Sequence, residues 1–242
     1  VWQSQRLDAY AASLQQLKDA NLVYGCACSR REIGDSAIRA AIDGGLVYPG
    51  TCRNGLPAGV APRAWRLRTD NNEIAFQDRL QGRVAQKLEN EVGDFVLLRA
   101  DGQYTYQLAV VVDDAAQGIT HVVRGADLLD STPRQIWLQR CLGLPMPFYA
   151  HLPVACNAAG EKLSKQTLAP ALNPAQAAAE LVRALAFLGQ NPPPELAACR
   201  CAEIWQWAFS HWRFDHIPRQ RSIGVDVENP QFLSAFGSQL GS

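Results

Sequence analysis

Apolar and polar positions alternate along most of the chain with periods that mark out its elements. Leu7, Tyr10, Leu14 and Leu17 recur at helical spacing, with Arg6, Asp8, Gln15, Gln16, Lys18 and Asp19 on the other faces, which predicts an amphipathic helix ending near Asn21. In Ser29-Arg30-Arg31-Glu32 a hydroxyl precedes a carboxylate by three residues. Each side chain can then satisfy an N–H at a helix start, so a second helix is expected to run to about Gly44. The stretch 44–63 is rich in Gly, Pro and small residues and reads as a loop or knuckle. Short alternating runs at Trp65-Arg66-Leu67-Arg68, Ile74-Ala75-Phe76 and Val84-Ala85-Gln86-Lys87-Leu88 predict antiparallel strands. Phe95-Val96-Leu97-Leu98-Arg99, the turn Asp101-Gly102 and the return Tyr104-Thr105-Tyr106 predict a hairpin.

Further on, 108–116 reads as a helix, and Ile119-Thr120-His121-Val122-Val123-Arg124 as a buried parallel strand. Ser131-Thr132-Pro133 opens a helix, with a hydroxyl at the cap and Pro at the first position, and Gly143 closes it. This helix–strand–helix order implies an α/β layer. A strand over 148–156 leads to a polar loop over 160–166, followed by an Ala- and Leu-rich helix over 174–188. Pro192-Pro193-Pro194 separates that helix from a last one over 196–211. Periodicity fades after Arg221, so 222–242 is expected to be a poorly ordered tail.

Composition narrows the classes. The 242 residues are 48% hydrophobic and 19% charged, with 23 basic and 23 acidic side chains, which describes an ordinary globular protein and excludes disordered or collagen-like chains. No apolar run approaches the ~20 residues of a membrane helix. Because the charges balance, any contact with nucleic acid must be local. The start, Val1-Trp2-Gln3-Ser4-Gln5-Arg6, has no signal-peptide character and runs straight into a helical pattern. The expectation is a cytoplasmic chain that begins inside a longer protein. Seven cysteines without an export signal favour free thiols plus a metal site over a disulfide framework.

Cys26, Cys28 and Cys52 flank a loop–helix–loop turn, with Tyr48 four positions before Cys52. Three soft donors supply most of a structural zinc tetrahedron. The fourth donor is open at this point: the Tyr48 phenolate, a water, or a residue distant in sequence. Inert buried thiols are the alternative. Cys199 and Cys201 have the same spacing but no returning partner, and Cys141 and Cys156 read as core residues. Gly160-Glu161-Lys162-Leu163-Ser164-Lys165-Gln166 places two ammonium groups on a loop after a strand. Such groups can hold phosphates during nucleotidyl transfer, although charge pattern alone favours a solvated loop.

Lys162-Leu163-Ser164-Lys165-Gln166 resembles the Lys-Met-Ser-Lys-Ser signature of class I aminoacyl-tRNA synthetases. Tyr106-Gln107-Leu108-Ala109-Val110-Val111-Val112-Asp113-Asp114, with the stretch from Gly118 to Leu129 that contains Arg124-Gly125-Ala126-Asp127, resembles their glutamyl and glutaminyl branch. The resemblance covers Val1 to about Arg221. It implies an α/β, Rossmann-like catalytic domain represented by its C-terminal half, an inserted zinc-containing α+β subdomain and a small C-terminal helical layer. The corresponding divisions are 1–105, 106–173 and 174–221. The Cys26, Cys28, Tyr48 and Cys52 set is similar to the zinc site of a short member of the branch, in which a tyrosine completes the tetrahedron.

By the same resemblance, Tyr106 and Arg124 bind the substrate glutamate, and Lys162, Ser164 and Lys165 bind Mg-ATP, the two lysines serving catalysis. Chemistry agrees, since an Arg at the end of a strand can clamp a carboxylate through paired charge-assisted hydrogen bonds. Read without the resemblance, Tyr106 is a half-buried strand aromatic and Arg124 a surface partner of Asp127 or Asp130. Only a small helical layer follows the lysine loop, which fits the short form that attaches glutamate to queuosine at the wobble position of tRNA(Asp). Such a protein is expected to be a monomer, with Arg213, Arg219 and Arg221 as candidate phosphate contacts. The His-Ile-Gly-His-like motif and the early Arg and Glu of the branch have no counterpart, so an inactive fragment is also expected. Val110 stands where full glutamyl-tRNA synthetases carry Asn, which is compatible with the short form. The alternatives are a fragment of a glutamyl-tRNA synthetase charging tRNA(Glu), and a non-catalytic zinc-containing RNA-binding module.

Overall fold

The protein is seen in a computed structural model, which describes residues 1–36, 41, 46–165, 167, 169 and 171–225. In chain order the elements are α1 (Leu7–Asp19), β1 (Val23–Cys26), α2 (Arg30–Ser36), β2 (Ala64–Leu67), β3 (Glu73–Asp78), β4 (Gly82–Lys87), α3 (Leu88–Glu91) and β5 (Phe95–Leu98). They continue with α4 (Tyr106–Ala116), β6 (His121–Gly125), α5 (Thr132–Leu142), β7 (Phe148–Leu152), β8 (Val154–Cys156), α6 (Ala177–Phe187), α7 (Cys201–His211) and β9 (Ser222–Gly224). Two compact units result: Val1–Val122 with Leu128–Tyr149, and Val123–Asp127 with the chain from Ala150 on.

In the first unit the expected antiparallel pairing holds. β2 pairs with β1 (Val23↔Leu67 through Cys26↔Ala64) and with β5, and β3 forms a hairpin with β4. The amphipathic pattern of α1 buries Tyr10, Leu14 and Leu17 against Leu67, Leu97, Leu108, Val111 and Leu138. Each such side chain contributes roughly 1.5–3 kcal/mol. The docking is oriented by a polar anchor. Asp113 of α4 is buried, and its carboxylate accepts hydrogen bonds from the Tyr10 hydroxyl at 2.8 Å and from Arg6 Nε. A second cluster joins Ile74 and Phe76 of β3 to Leu88, Leu129, Ile136 of α5 and Tyr149 of β7. The sheet there has the order β4-β3-β7-β6 and is mixed, since β3 pairs antiparallel with β4 and parallel with β7 through Asp78↔Tyr149.

In the second unit Val182 and Leu185 of α6 pack on Ile204 and Ala208 of α7. β8 pairs in parallel with β9, from Val154↔Ser222 to Cys156↔Gly224.

Several expectations are corrected. β1 was not expected, because Gly25 and the cysteines hide a strand of only four residues. β6 is no buried strand: it is last in its sheet order, and Val123 is 61% exposed. Its β-branched composition reported strand propensity and not burial. The return of the hairpin is one bridge, Leu98↔Tyr104, after which Tyr106 already begins α4. Ser131 makes no capping bond, because the 3-10 turn Ala126–Ser131 runs directly into α5; Pro133 and the left-handed Gly143 (φ 68°) bound that helix as expected. Pro153, which has no N–H to donate, divides the strand over 148–156 into β7 and β8. The last helix begins at Cys201, after a 3-10 turn over Pro194–Ala198, with the Glu203 carboxylate accepting from the Arg200 N–H at 2.8 Å. Ser222–Gly224 is a strand, while the rest of the expected tail, 226–242, lies outside the described residues. The expected extension of the second helix beyond Ser36 falls on 37–40 and 42–45, also outside them. Among the described residues no helix is long and apolar enough to cross a membrane.

Removing the α1 anchor should be costly, because Arg6 and Tyr10 lose the buried carboxylate they share. Asp113→Ala is expected to lower unfolding free energy by about 3 kcal/mol in urea titration; a loss below ~1 kcal/mol would show that apolar packing alone docks α1.

Candidate functional site

The cysteine knuckle is assembled from three local devices. Antiparallel pairing of β1 with β2 delivers Cys26, which is buried. Immediately after Cys28 the expected box forms: the Ser29 N–H donates to the Glu32 carboxylate at 2.6 Å and the Glu32 N–H to Ser29 Oγ at 3.2 Å. The first of these bonds holds the Glu32 carboxyl below its usual range. On the returning side, a turn closed by the Arg53 N–H on the Gly50 carbonyl at 2.8 Å presents Cys52.

These devices converge on the phenolic oxygen of Tyr48. It accepts from the Cys52 backbone N–H at 2.9 Å and from the Cys26 thiol at 3.4 Å, and lies 3.6 Å from Cys28 Sγ. Cys28 Sγ is 3.5 Å from Cys52 Sγ, and all three sulfurs lie within 4.8 Å of one another. In a tetrahedral site of three thiolates and one oxygen, the edges are about 3.8 Å between sulfurs and about 3.5 Å from sulfur to oxygen. The Cys28–Cys52, Cys26–Tyr48 and Cys28–Tyr48 separations are close to those edges, so the three thiols together with Tyr48 could hold a metal ion. Burial pushes the Cys28 thiol up to about 11 and raises the Tyr48 hydroxyl above the ordinary phenol range. Burial would also raise Cys52, but hydrogen bonds from Tyr48, the Ala27 N–H and Cys28 outweigh it and lower that thiol.

The knuckle rests on Asp94, which is buried. One carboxylate oxygen accepts from Arg53 at 2.9 Å, the Thr69 N–H at 2.7 Å and the Thr69 hydroxyl at 3.0 Å; the other accepts from the Tyr24 hydroxyl at 2.7 Å. Arg66 donates to the Asp94 carbonyl at 2.8 Å, and its guanidinium lies 3.8 Å over the Tyr48 ring. Beside it is a cavity of about 360 Å³ lined by Tyr48, Arg53, Glu89, Asn90 and Gly93. Its cation, Arg53, is paired with Asp94 and with Glu89 at 3.6 Å.

In the second unit, Arg124 Nε donates to Nε2 of His151 at 3.0 Å. Lys162 pairs with Asp127 at 2.6 Å, which joins the lysine loop to the turn that follows β6. The loop is carried by the bridge Cys156↔Lys162 and by the Leu163 N–H on the Ala155 carbonyl at 2.8 Å. The Ser164 N–H donates to the Thr167 hydroxyl at 2.9 Å, and Lys165 is exposed. Tyr106, in the first unit, is the first residue of α4 and is 47% exposed, not a half-buried strand aromatic. His151 escaped the sequence reading. The available signal was an imidazole in an apolar strand run, Tyr149-Ala150-His151-Leu152, directly upstream of the lysine loop. Cys199 and Cys201 join no metal-type cluster among the described residues; burial pushes Cys141 up to about 11, as for a core thiol.

A mixed sheet flanked by helices leads through β7 and β8 into the lysine loop, an α/β arrangement. The family model described as tRNA synthetases class I (E and Q), catalytic domain, matches residues 1–188, and the chain belongs to that family. Its curated relatives include two proteins named glutamyl-Q tRNA(Asp) synthetase. That of Dechloromonas aromatica (strain RCB) is 69% identical over 223 residues, 92% of this chain and 74% of the relative. That of Aromatoleum aromaticum (strain DSM 19018 / LMG 30748 / EbN1) is 58% identical over 97% of this chain and 72% of its own length. Among solved structures, glutamate-tRNA synthetase from Elizabethkingia anophelis has the same fold, with a TM-score of 0.67 at 20% identity, covering 97% of this chain and 53% of that one.

Gly93 is where the support meets the knuckle. Its φ is 74°, and a Cβ there would lie 2.8 Å from both the backbone N and O of Tyr48. Gly93→Ala is expected to lower unfolding free energy by about 2 kcal/mol or more in denaturant titration; an unchanged midpoint would show that Tyr48 is not held by this contact.

Proposed function

We propose that this chain supplies the metal knuckle, the glutamate clamp and the lysine loop of a ligase that activates glutamate with ATP and transfers it to queuosine at the wobble position of tRNA(Asp). What carries the reading is the 69% identity to a protein of that name over 92% of the chain, including the stretch that bears Arg124, Lys162 and Lys165. In this reading 1–105 holds the knuckle as an insertion, 106–173 is the second half of the nucleotide fold and 174–221 is a small helical layer. The protein acts in the cytoplasm as a monomer.

The chemistry assigned to each residue follows from its type. Arg124 is suited to a carboxylate of glutamate, because its planar guanidinium can make two parallel N–H···O bonds. Tyr106, half-exposed at the start of α4, carries a phenol that can hydrogen-bond a polar group of glutamate. The Lys162 and Lys165 ammonium groups, with the Ser164 segment, neutralise charge on the ATP phosphates while a glutamate carboxylate oxygen attacks the α-phosphorus and magnesium pyrophosphate leaves. A queuosine hydroxyl then attacks the carbonyl of the adenylate, forming the ester and releasing AMP. The Lys162–Asp127 pair is half-exposed, and such pairs are worth ~1 kcal/mol or less, so phosphate can replace Asp127 as the partner.

Zinc is the metal assigned to Cys26, Cys28, Tyr48 and Cys52, since three sulfurs and a phenolic oxygen suit a borderline-soft, tetrahedral ion. It would be structural: four protein donors leave no open position for substrate. Binding must release protons, because the thiols and the phenol ligate in their deprotonated forms.

Two measurements test these assignments. Atomic absorption should find about one zinc per chain, and Cys28→Ser should abolish it and lower the melting temperature; metal-free wild-type protein with an unaltered melting temperature under chelator would remove zinc from the account. Labelled glutamate and Mg-ATP should charge queuosine-containing tRNA(Asp) and not tRNA(Glu), in a chain extended to the length of its relatives and compared with residues 1–242 alone. Charging of tRNA(Glu) would instead support a glutamyl-tRNA synthetase. Charging of neither by the extended chain would leave a non-catalytic RNA-binding module.

A further inference from the structure

We propose that His151 is a positioning residue that fixes the plane of the Arg124 guanidinium for carboxylate binding. The inference rests on the assignment of Arg124 to glutamate and extends it to a residue that touches no substrate. His151 is fully buried on β7, next to β6, the strand that carries Arg124. A buried imidazole is costly to the fold unless its nitrogens are hydrogen-bonded. Here Nε2 accepts from Arg124 Nε at 3.0 Å, so the ring is neutral, with its proton on Nδ1.

Being uncharged, the imidazole acceptor itself takes nothing from the positive charge that an anionic substrate needs. Nε is the inner nitrogen of the guanidinium, and because the group is planar, a bond at Nε fixes the direction of both terminal nitrogens. Two-point recognition of a carboxylate depends on that direction, and a displacement of about 1 Å can cost as much as 100-fold in rate.

The test is glutamate-dependent exchange of pyrophosphate into ATP by the full-length protein. His151→Leu keeps an apolar side chain of similar bulk and removes the acceptor. It is expected to raise the KM for glutamate about 10-fold, with the KM for ATP and kcat little changed. His151→Gln, whose amide oxygen can stand where Nε2 was, is expected to restore the KM to within about threefold of wild type. If Arg124→Ala raises the KM for glutamate while His151→Leu leaves it at the wild-type value, the positioning role is overturned and the glutamate assignment stands. If Arg124→Ala itself has no effect on it, both fall. Should His151→Leu not fold, the 15N spectrum of the wild-type imidazole decides, since a proton on Nε2 in place of Nδ1 excludes the acceptor role.

Discussion

One buried carboxylate ties the knuckle of the first unit to its three-stranded sheet. Asp94 receives the Tyr24 hydroxyl from β1, Arg53 from the returning arm of the knuckle, and both the N–H and hydroxyl of Thr69 just beyond β2. It thereby ties three separate chain segments to the start of β5, which no apolar contact of the same size could orient so narrowly. Each donor compensates part of the cost of burying the charge, and the arrangement works only as a set, because a carboxylate left with one partner in that position would be strongly unfavourable. The adjoining Gly93 then brings the backbone close enough to Tyr48 that a side chain has no room. The knuckle therefore inherits its geometry from the three-stranded sheet.

Charge is handled differently in the second unit. Arg124 is held by a neutral imidazole, and Lys162 by an aspartate on a half-exposed surface where water weakens the pair. Burial makes Asp94 a fixture, while exposure leaves Lys162 able to trade one anionic partner for another. The same physical rule, that the worth of a charge pair rises as solvent is withdrawn, separates a fixed cluster from a loosely held pair in one chain.

Legibility in the sequence followed the range of the interaction involved. Local signals were read correctly: the period of α1, the Ser29–Glu32 box, the Gly143 stop and the alternation around Trp65, Ile74 and Val84 all show in residues a few positions apart. Failures occurred where a distant partner decided the outcome. β1 exists because β2 pairs with it across some 40 residues of chain, and Ser222–Gly224 is a strand because β8 lies beside it. Burial of β6 was misjudged because β-branched residues state a backbone preference and not a position in the sheet order. The knuckle donors were legible as cysteines with a nearby tyrosine, but their convergence on one oxygen was not. His151 was invisible as a functional candidate because its partner, Arg124, lies on another strand.

The knuckle's protonation chemistry shows what a metal would add. With its thiols protonated, the cluster is still closed by hydrogen bonds, the Cys26 thiol and the Cys52 N–H both reaching Tyr48, and the donors stand at nearly the separations a metal would impose. Asp94 binds the arms that carry them, and Gly93 packs against the Tyr48 backbone. A small domain with few other contacts would rely on the metal for its fold. Here the ion would enter a prepared site, so its binding energy is offset chiefly by removing protons that burial holds on Cys28 and Tyr48. Affinity for such an ion should consequently rise with pH, since each proton that burial holds on a donor must leave before the ion can bind.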